Sequence, residues 1–241
     1  MVRPYVVANI NPGEIRWECA ARLGDIRAAN VPVIGKISGP YLDIHRNDCV
    51  MAYMTDPDLA VRDWLIFIDS DCEATVDDLD TLIDVPDDVS VVSGVYASLM
   101  KDHGFRTVVY KSVELEPDDP EFESRLWRMI PYEFKHLVDL PGHPSAPHLK
   151  AVDGFGAGCL AVHRRVFAEM LGAFGFPMPW FYCAIVSRNQ EDKPQWIGED
   201  FGFGFRARQL GYTLYCNTLV QIPHYKVVKI VPDPDKALVQ L

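Results

Sequence analysis

The sequence has no apolar stretch approaching the roughly 20 residues that a membrane-spanning helix needs, so no integral membrane segment is expected. Met1-Val2-Arg3-Pro4 does not open a secretory signal, and the expected location is cytoplasmic. Cysteine is sparse: six residues, at 19, 49, 72, 159, 183 and 216, with no C-x-x-C pair and no dense framework. Reduced thiols are the simpler reading. Positive charge is also short, 23 Lys and Arg against 34 Asp and Glu, for a formal net charge of -11. That balance argues against nucleic acid or an anionic membrane as the main partner. A polyanionic substrate would need its charge offset locally, as a bound divalent cation does. No internal repeat or low-complexity tract is visible.

What is present is ordinary globular composition, 49% hydrophobic and 24% charged over 241 residues. A chain of this length can bury a sizeable core and is most economically one domain. Its most informative segment is Trp64-Leu65-Ile66-Phe67-Ile68-Asp69-Ser70-Asp71, an apolar run ending on two carboxylates one residue apart. The run is too continuous for a half-exposed strand and fits one covered on both faces, as in a parallel sheet between helices. Such a strand delivers the residues at its carboxyl end to the crevice where open α/β sheets bind ligands. In an extended chain Asp69 and Asp71 point the same way. Paired anions need a cation, and hard oxygen ligands suit Mg²⁺ or Mn²⁺, usually shared with substrate phosphates.

Around this strand, Tyr5 to Ile10 reads as a strand broken by Asn11-Pro12-Gly13. Glu14 to Ala29 reads as a helix with Ile15, Cys19, Leu23 and Ile26 on one face. Val31 to Ile37 is a strand ended by Ser38-Gly39-Pro40, His45 to Met54 a helix, Val76 to Ile83 a helix and Val89 to Val95 a strand. This alternation indicates a doubly wound α/β sheet. The second half is less regular: 116–150 is rich in proline, acids and aromatics, and residues 141–148 read as loop. Ala157–Val162 resumes a strand, Arg164–Leu171 a helix stopped by Gly172, and Ser187–Pro194 a polar, mobile stretch. Phe201–Leu210 reads as a helix stopped by Gly211, and Tyr212–Cys216 as a closing strand.

Three further clusters can carry chemistry. Trp196-Ile197-Gly198-Glu199-Asp200 holds a second acidic pair at a helix start. It reads either as a capping cluster at the positive helix end or as acid/base machinery, with Trp196 able to stack on a sugar ring. His224 reads as a solvated histidine or as an Mn²⁺ ligand. Gly154-Phe155-Gly156-Ala157-Gly158 lacks the dinucleotide spacing and is either a turn into a strand or a close backbone approach to a ligand. Two other metal motifs fail on spacing. An EF-hand loop starting at Asp69 would have Ala74 where glycine is required and Asp80 where a glutamate is usual. A haloacid-dehalogenase phosphatase would need Thr or Val where Glu73 stands.

Taken in order, Asp69-Ser70-Asp71, the upstream Arg46-Asn47, the strand ending Gly94-Val95-Tyr96, the stretch Gly154–Arg165, the Trp196–Asp200 run and the late His224 resemble a GT-A glycosyltransferase of the family-2-like group. The resemblance spans roughly residues 5–225. It implies a GT-A (Rossmann-like) fold, a mostly parallel central sheet flanked by helices. It also implies a nucleotide-sugar-binding half over about 1–97 and an irregular acceptor-side half over about 98–241. By that resemblance Asp71 binds Mn²⁺ or Mg²⁺ directly, Asp69 reaches the ribose or the metal through water, and His224 is a further metal ligand. Arg46, Asn47 and Ser70 lie by the nucleotide of a UDP- or GDP-sugar, and Ala8-Asn9-Ile10 line the base pocket. Asp200 stands at the general base of inverting members, Glu199 binds acceptor or donor sugar, and Trp196, Gly156 and Gly198 belong to the acceptor side. Asn11-Pro12-Gly13-Glu14 departs from a typical nucleotide-binding run and leaves the base open. The short tail after His224 disfavours a processive membrane polymerase. The acceptor is unspecified. The competing readings are a nucleotidyltransferase, a metal-dependent phosphohydrolase, and a non-catalytic nucleotide-sugar-binding protein of the same fold.

Overall fold

The structure is a computed structural model that describes residues 2–11, 13–37, 41–100, 104–116, 118–119, 127–186 and 195–226. The first half alternates as its hydrophobic pattern requires: β1 (Tyr5–Asn11), α1 (Trp17–Ala28), β2 (Val33–Ile37), α2 (Leu42–Thr55), β3 (Trp64–Asp69), α3 (Val76–Ile83) and β4 (Val91–Val95). Four short strands and a helix come next: β5 (Ala97–Met100), β6 (Gly104–Thr107), β7 (Val109–Glu114), β8 (Trp127–Pro131) and α4 (Phe134–Val138). Then come β9 (Gly142–His143), β10 (Ala146–Val152), β11 (Gly154–Phe155), β12 (Cys159–His163) and α5 (Arg164–Phe174). The remainder is β13 (Ala184–Val186), β14 (Gln195–Ile197), α6 (Glu199–Gln209) and β15 (Leu214–Gln221).

An eight-stranded sheet in the order β2-β1-β3-β12-β4-β15-β10-β9 forms the centre. Strands β1, β2 and β3 are parallel, as are β4 and β15, but β12 runs antiparallel to both neighbours and β10 antiparallel to β15. The sheet is therefore mixed, and the expectation of a mostly parallel one is corrected. The reason is the direction from which β12 enters. Cys159 pairs with Ile68 and His163 with Trp64, so the chain arrives at the carboxyl end of β3 and runs back down it. That reversal brings the glycine-rich run before β12 to the end of β3, where Gly158 O accepts from the Asp69 N–H at 3.1 Å.

Side-chain alternation sorts the core into two layers. Val6, Ala8, Leu65 and Phe67 face the layer under α2, α5 and α6, with Val50, Tyr53, Phe167 and Phe203. Tyr5, Val7, Ile66 and Ile68 face the layer under α1 and α3, with Leu23, Ile26, Leu79 and Leu82. A strand buried on both faces is what the continuous apolar run of β3 demands, and residues 64–68 are all buried.

Helix ends obey local chemistry. Thr75 and Asp78 form a reciprocal capping box at α3, Thr75 Oγ1 accepting from the Asp78 N–H at 3.1 Å and Asp78 Oδ2 accepting from the Thr75 N–H at 2.8 Å. Helix α5 passes through Gly172 and ends at Gly175, whose φ of 66° suits glycine. Gly172 is thus not the stop, because its backbone stays helical. Gly211, at φ 87°, comes after α6 as expected. Residues 141–148 are not loop throughout: β9 and β10 reverse about Pro144-Ser145, the prolines at 141 and 147 notwithstanding. The closing strand begins at Leu214, beyond Tyr212, and runs to Gln221. The expected breaks at Pro12 and Ser38-Gly39-Pro40 and the expected mobility of Ser187–Pro194 lie outside the described residues.

Candidate active site

The carboxyl end of β3 does not remain extended through the acidic pair. The Cys72 N–H donates to Asp69 O at 3.0 Å, so Asp69-Ser70-Asp71-Cys72 is a turn. A turn abolishes the period of two that would align the carboxylates, and each meets its own cation. Asp69 receives Arg46 Nη2 at 2.9 and 3.2 Å on its two oxygens. Asp71 Oδ2 lies 3.1 Å from His224 Nε2 and 2.8 Å from Lys226 Nζ. In this fold the two carboxylates meet different cationic side chains instead of pointing to one shared position.

Arg46 is the hub. Its side chain is 2% exposed, and α2 inserts it between the two acidic motifs. Besides Asp69 it forms an ion pair with Glu199, Nε to Oε1 at 3.5 Å without a hydrogen bond from that buried N–H, and donates from Nη1 to Ala157 O at 3.3 Å. The rings of Phe67 and Phe181 lie 5.5 and 5.9 Å from the guanidinium carbon. Burial acts to lower the Arg46 pKa, but the nearby carboxylates of Asp69, Glu199 and Asp200 outweigh it and keep the group charged.

Asp200 has the opposite electrostatics. Burial first, then the neighbouring Glu199 charge, push its carboxyl up to about 7, against the Phe201 N–H at 2.8 Å and Arg46, which favour the anion. A carboxyl poised near neutrality is what proton transfer at physiological pH calls for. Both acids occupy the first turn of α6, whose N-cap is Gly198. Gly198 offers no side-chain cap, but Asp200 Oδ1 accepts a first-turn N–H and both acids lie at the positive end of α6, so the capping reading stands beside the acid/base one.

Asp71 is clamped from the C-terminal side. After β15 the chain crosses the turn: Pro223 O accepts the Glu73 N–H at 2.9 Å, Asp71 O accepts the Tyr225 N–H at 2.8 Å, and Cys72 bridges His224 in antiparallel fashion. Glu73 binds Arg22 of α1 at 3.0 Å and Tyr225 Oη at 2.5 Å, a structural role that secures this crossing. His224 Nδ1 lies 2.8 Å from Ala97 O, so it carries hydrogen and donates, leaving Nε2 to face the Asp71 carboxylate. The 3.1 Å contact between Nε2 and Asp71 Oδ2 is made through a ring proton or through a cation shared by the two. Lys226 already supplies positive charge to the same oxygen. Burial pushes the Asp71 carboxyl up, but His224 and Lys226 prevail and hold it at about 2. A carboxylate and an imidazole nitrogen are also donor types that a divalent cation such as Mn²⁺ accepts.

Other expected site residues are placed differently. Ala8 is fully buried under α2, so its side chain does not reach the strand end; Asn9, 3% exposed, donates to Ile68 O at 2.9 Å and ties β1 to β3. Asn47 donates to Asp43 O and Phe181 O and accepts from the Trp180 and Phe181 N–H groups. Its amide is used up in fixing the segment after α5. Ser70 is buried in the turn. Trp196 is 65% exposed on the antiparallel β13–β14 pair opposite Ile185, itself 65% exposed.

The glycines at 156 and 158 have a structural explanation. A Cβ on Gly156 would overlap the Tyr96 hydroxyl and Val108, and one on Gly158 would lie 2.9 Å from Tyr96. Tyr96 Oη accepts the Gly158 N–H at 3.0 Å. The run makes room for a buried tyrosine, which in turn packs edge-on against His224 at 5.0 Å. Gly156→Ala is expected to destabilise the fold by about 1–3 kcal/mol through overpacking, read as a lower urea midpoint with unchanged slope. A neutral substitution would mean that Tyr96 moves freely.

The sequence matches no protein-family model and no curated protein. Among solved structures, the crystal structure of A197 from STIV superposes with a TM-score of 0.53 at 15% identity, covering 94% of this chain and 87% of that one. The two share a fold. A glycosyltransferase involved in the glycosylation of the major capsid of PBCV-1 gives a TM-score of 0.34 at 10% identity, over 73% of this chain and 69% of that one. That superposition is too loose to establish a common fold. No described helix is long and apolar enough to cross a membrane.

Sequence reasoning missed Lys226, Cys72 and the link from Arg46 to Glu199. Lys226 stands two residues beyond His224 in an extended segment, a spacing that carries both side chains to one side. No signal along the chain pairs Arg46 with Glu199, since the contact is made only when α2 and α6 pack on the same sheet face.

Proposed function

We propose that the chain is a GT-A-type glycosyltransferase that moves a sugar from a nucleotide diphosphate sugar to an acceptor hydroxyl, with Asp200 as general base. The observation that carries this is the buried guanidinium of Arg46, which ties the Asp69 end of β3 to the Glu199-Asp200 turn of α6. One acidic motif next to a cation-binding pair and another holding a near-neutral carboxyl are the two halves a sugar transfer requires. Asp71 and His224 would hold the cation, whose contribution when bound is to stabilise charge on the departing diphosphate. Lys226, 2.8 Å from Asp71, adds positive charge beside the same leaving group. Asp200 takes the acceptor proton, Arg46 holds Asp69 and Glu199 in register, and Trp196 offers an indole face to a sugar ring.

The test is a thermal-shift screen of nucleotide-sugars with and without Mn²⁺, and then product analysis. A saturating donor at about 100 times its Kd adds about 2.7 kcal/mol. For a chain of this size that is a rise of roughly 5–10 °C. Asp71→Ala is expected to fold and to lose the Mn²⁺-dependent part of the shift. Equal shifts with and without Mn²⁺ in the native chain would overturn the cation assignment. Release of nucleoside diphosphate fits sugar transfer, pyrophosphate or orthophosphate would point to a nucleotidyltransferase or phosphohydrolase, and binding without turnover to a carrier.

A further inference from the structure

Asp71, Cys72 and His224 form the one group of three His, Cys, Asp or Glu side chains found among the described residues with ligand atoms within 4.8 Å of one another. Two of these already belong to the proposed cation site; the third is a thiol. Cys72 is 2% exposed, and its Sγ lies 3.9 Å from Asp71 Oδ1, a long and weak contact. Its position is set by the backbone. Cys72 and His224 are opposite residues of an antiparallel bridge, a pairing that puts both side chains on the same side. Asp69, the residue expected to share the cation, has both oxygens engaged by Arg46. After Asp71 and His224, the next donor the chain brings to this point is sulfur.

We propose that Cys72 is the third protein ligand of the cation site, giving an oxygen–nitrogen–sulfur set that selects thiophilic divalent cations such as Zn²⁺, Co²⁺ or Cd²⁺ over Mg²⁺. This rests on the reading of Asp71 and His224 as a cation site. Mg²⁺ demands oxygen ligands in near-octahedral array and gains little from a thiolate, whereas later transition metals bind sulfur and imidazole strongly. On binding, the Cys72 S–H bond breaks, its proton leaves to solvent and the thiolate bonds to the metal; Lys226 gives up its place on Asp71. A carboxylate and a thiolate neutralise the dication, so the complex carries no net charge into a half-buried position. His224 keeps its Nδ1–H on Ala97 O, which orients Nε2 toward the metal. Three protein ligands leave coordination open for substrate oxygens.

The test is titration of the full chain with Co²⁺, read by absorption. A sulfur-to-cobalt charge-transfer band in the near ultraviolet is expected to saturate at equimolar metal. It should vanish in Cys72→Ser and Cys72→Ala, while the visible d–d bands persist through Asp71 and His224. Cd²⁺ affinity is expected to fall on the order of tenfold or more in both variants. Survival of the charge-transfer band in both variants, or d–d bands in the native chain without it, would overturn the role of Cys72 and leave the cation site standing. No binding of Co²⁺, Cd²⁺ or Mn²⁺ to the native chain would overturn both.

Discussion

Replacing Arg46 with Met is expected to cost about 3–5 kcal/mol of stability, because it removes the partner of buried charge. The guanidinium is 2% exposed and serves Asp69, Glu199 and a backbone carbonyl at once. Without it, Asp69 and Glu199 lose their counter-charge beside Asp200, which is already strained by Glu199. Domains of this kind are stable by about 5–15 kcal/mol in total, so such a loss is a large fraction. Urea unfolding at neutral pH should show it as a lower midpoint, and transfer should vanish with it. Arg46→Lys should not rescue either property. An ammonium presents three donors from one point and cannot span Asp69, Ala157 and Glu199 as the planar fork does. The double variant Arg46→Met with Glu199→Gln should recover part of the stability, since it removes one of the orphaned charges, yet stay inactive. A loss below about 1 kcal/mol in the single variant would show that water takes over the role of the guanidinium.

The reach of the sequence can be judged residue by residue. Strand β3 was legible because a continuous apolar run bounded by acids has few other solutions, and the spacing of Ile15, Cys19, Leu23 and Ile26 marked helix α1. The direction of β12 was not legible. Cys159–His163 reads the same whichever way it runs, and only its pairing with Ile68 and Trp64 reverses it. The Asp69-Ser70-Asp71 triplet announced a charged strand end, but its expected geometry assumed extended chain, and the turn closed by the Cys72 N–H separates the carboxylates. Asn47 is expected by the nucleotide, and the 154–158 glycine run reads as a turn or as a close approach to a ligand; in the fold Phe181 and Tyr96 engage Asn47 and Gly158 through hydrogen bonds. Residues brought together by tertiary contact alone, such as Arg46 with Glu199 or Cys72 with His224, leave no local trace.

Asp200→Asn is expected to abolish transfer and to make the protein more stable, the two effects having one cause. In the fold the carboxyl is raised from 3.8 to about 7 by burial and by Glu199. The folded chain therefore holds a proton that the unfolded chain has released between about pH 4 and pH 7. Stability rises with pH only where the unfolded state binds more protons; here the folded state binds more. The contribution is full below the unfolded pKa, falls as pH climbs toward 7, and stays lost above it. A shift of this size corresponds to roughly 4 kcal/mol at full effect. Asparagine never ionises, so the variant should match the native chain near pH 4 and exceed it at about pH 8, read from paired urea curves. Activity should run the other way. A base must be ionised, so native transfer should rise through about pH 7, and loss of the base should cost about 10²–10⁴-fold in rate. Nucleotide-sugar binding should survive, because Asp71 and His224 are untouched. Parallel stability curves at the two pH values would refute the buried ionisation, and comparable turnover in the asparagine variant would remove Asp200 from the reaction.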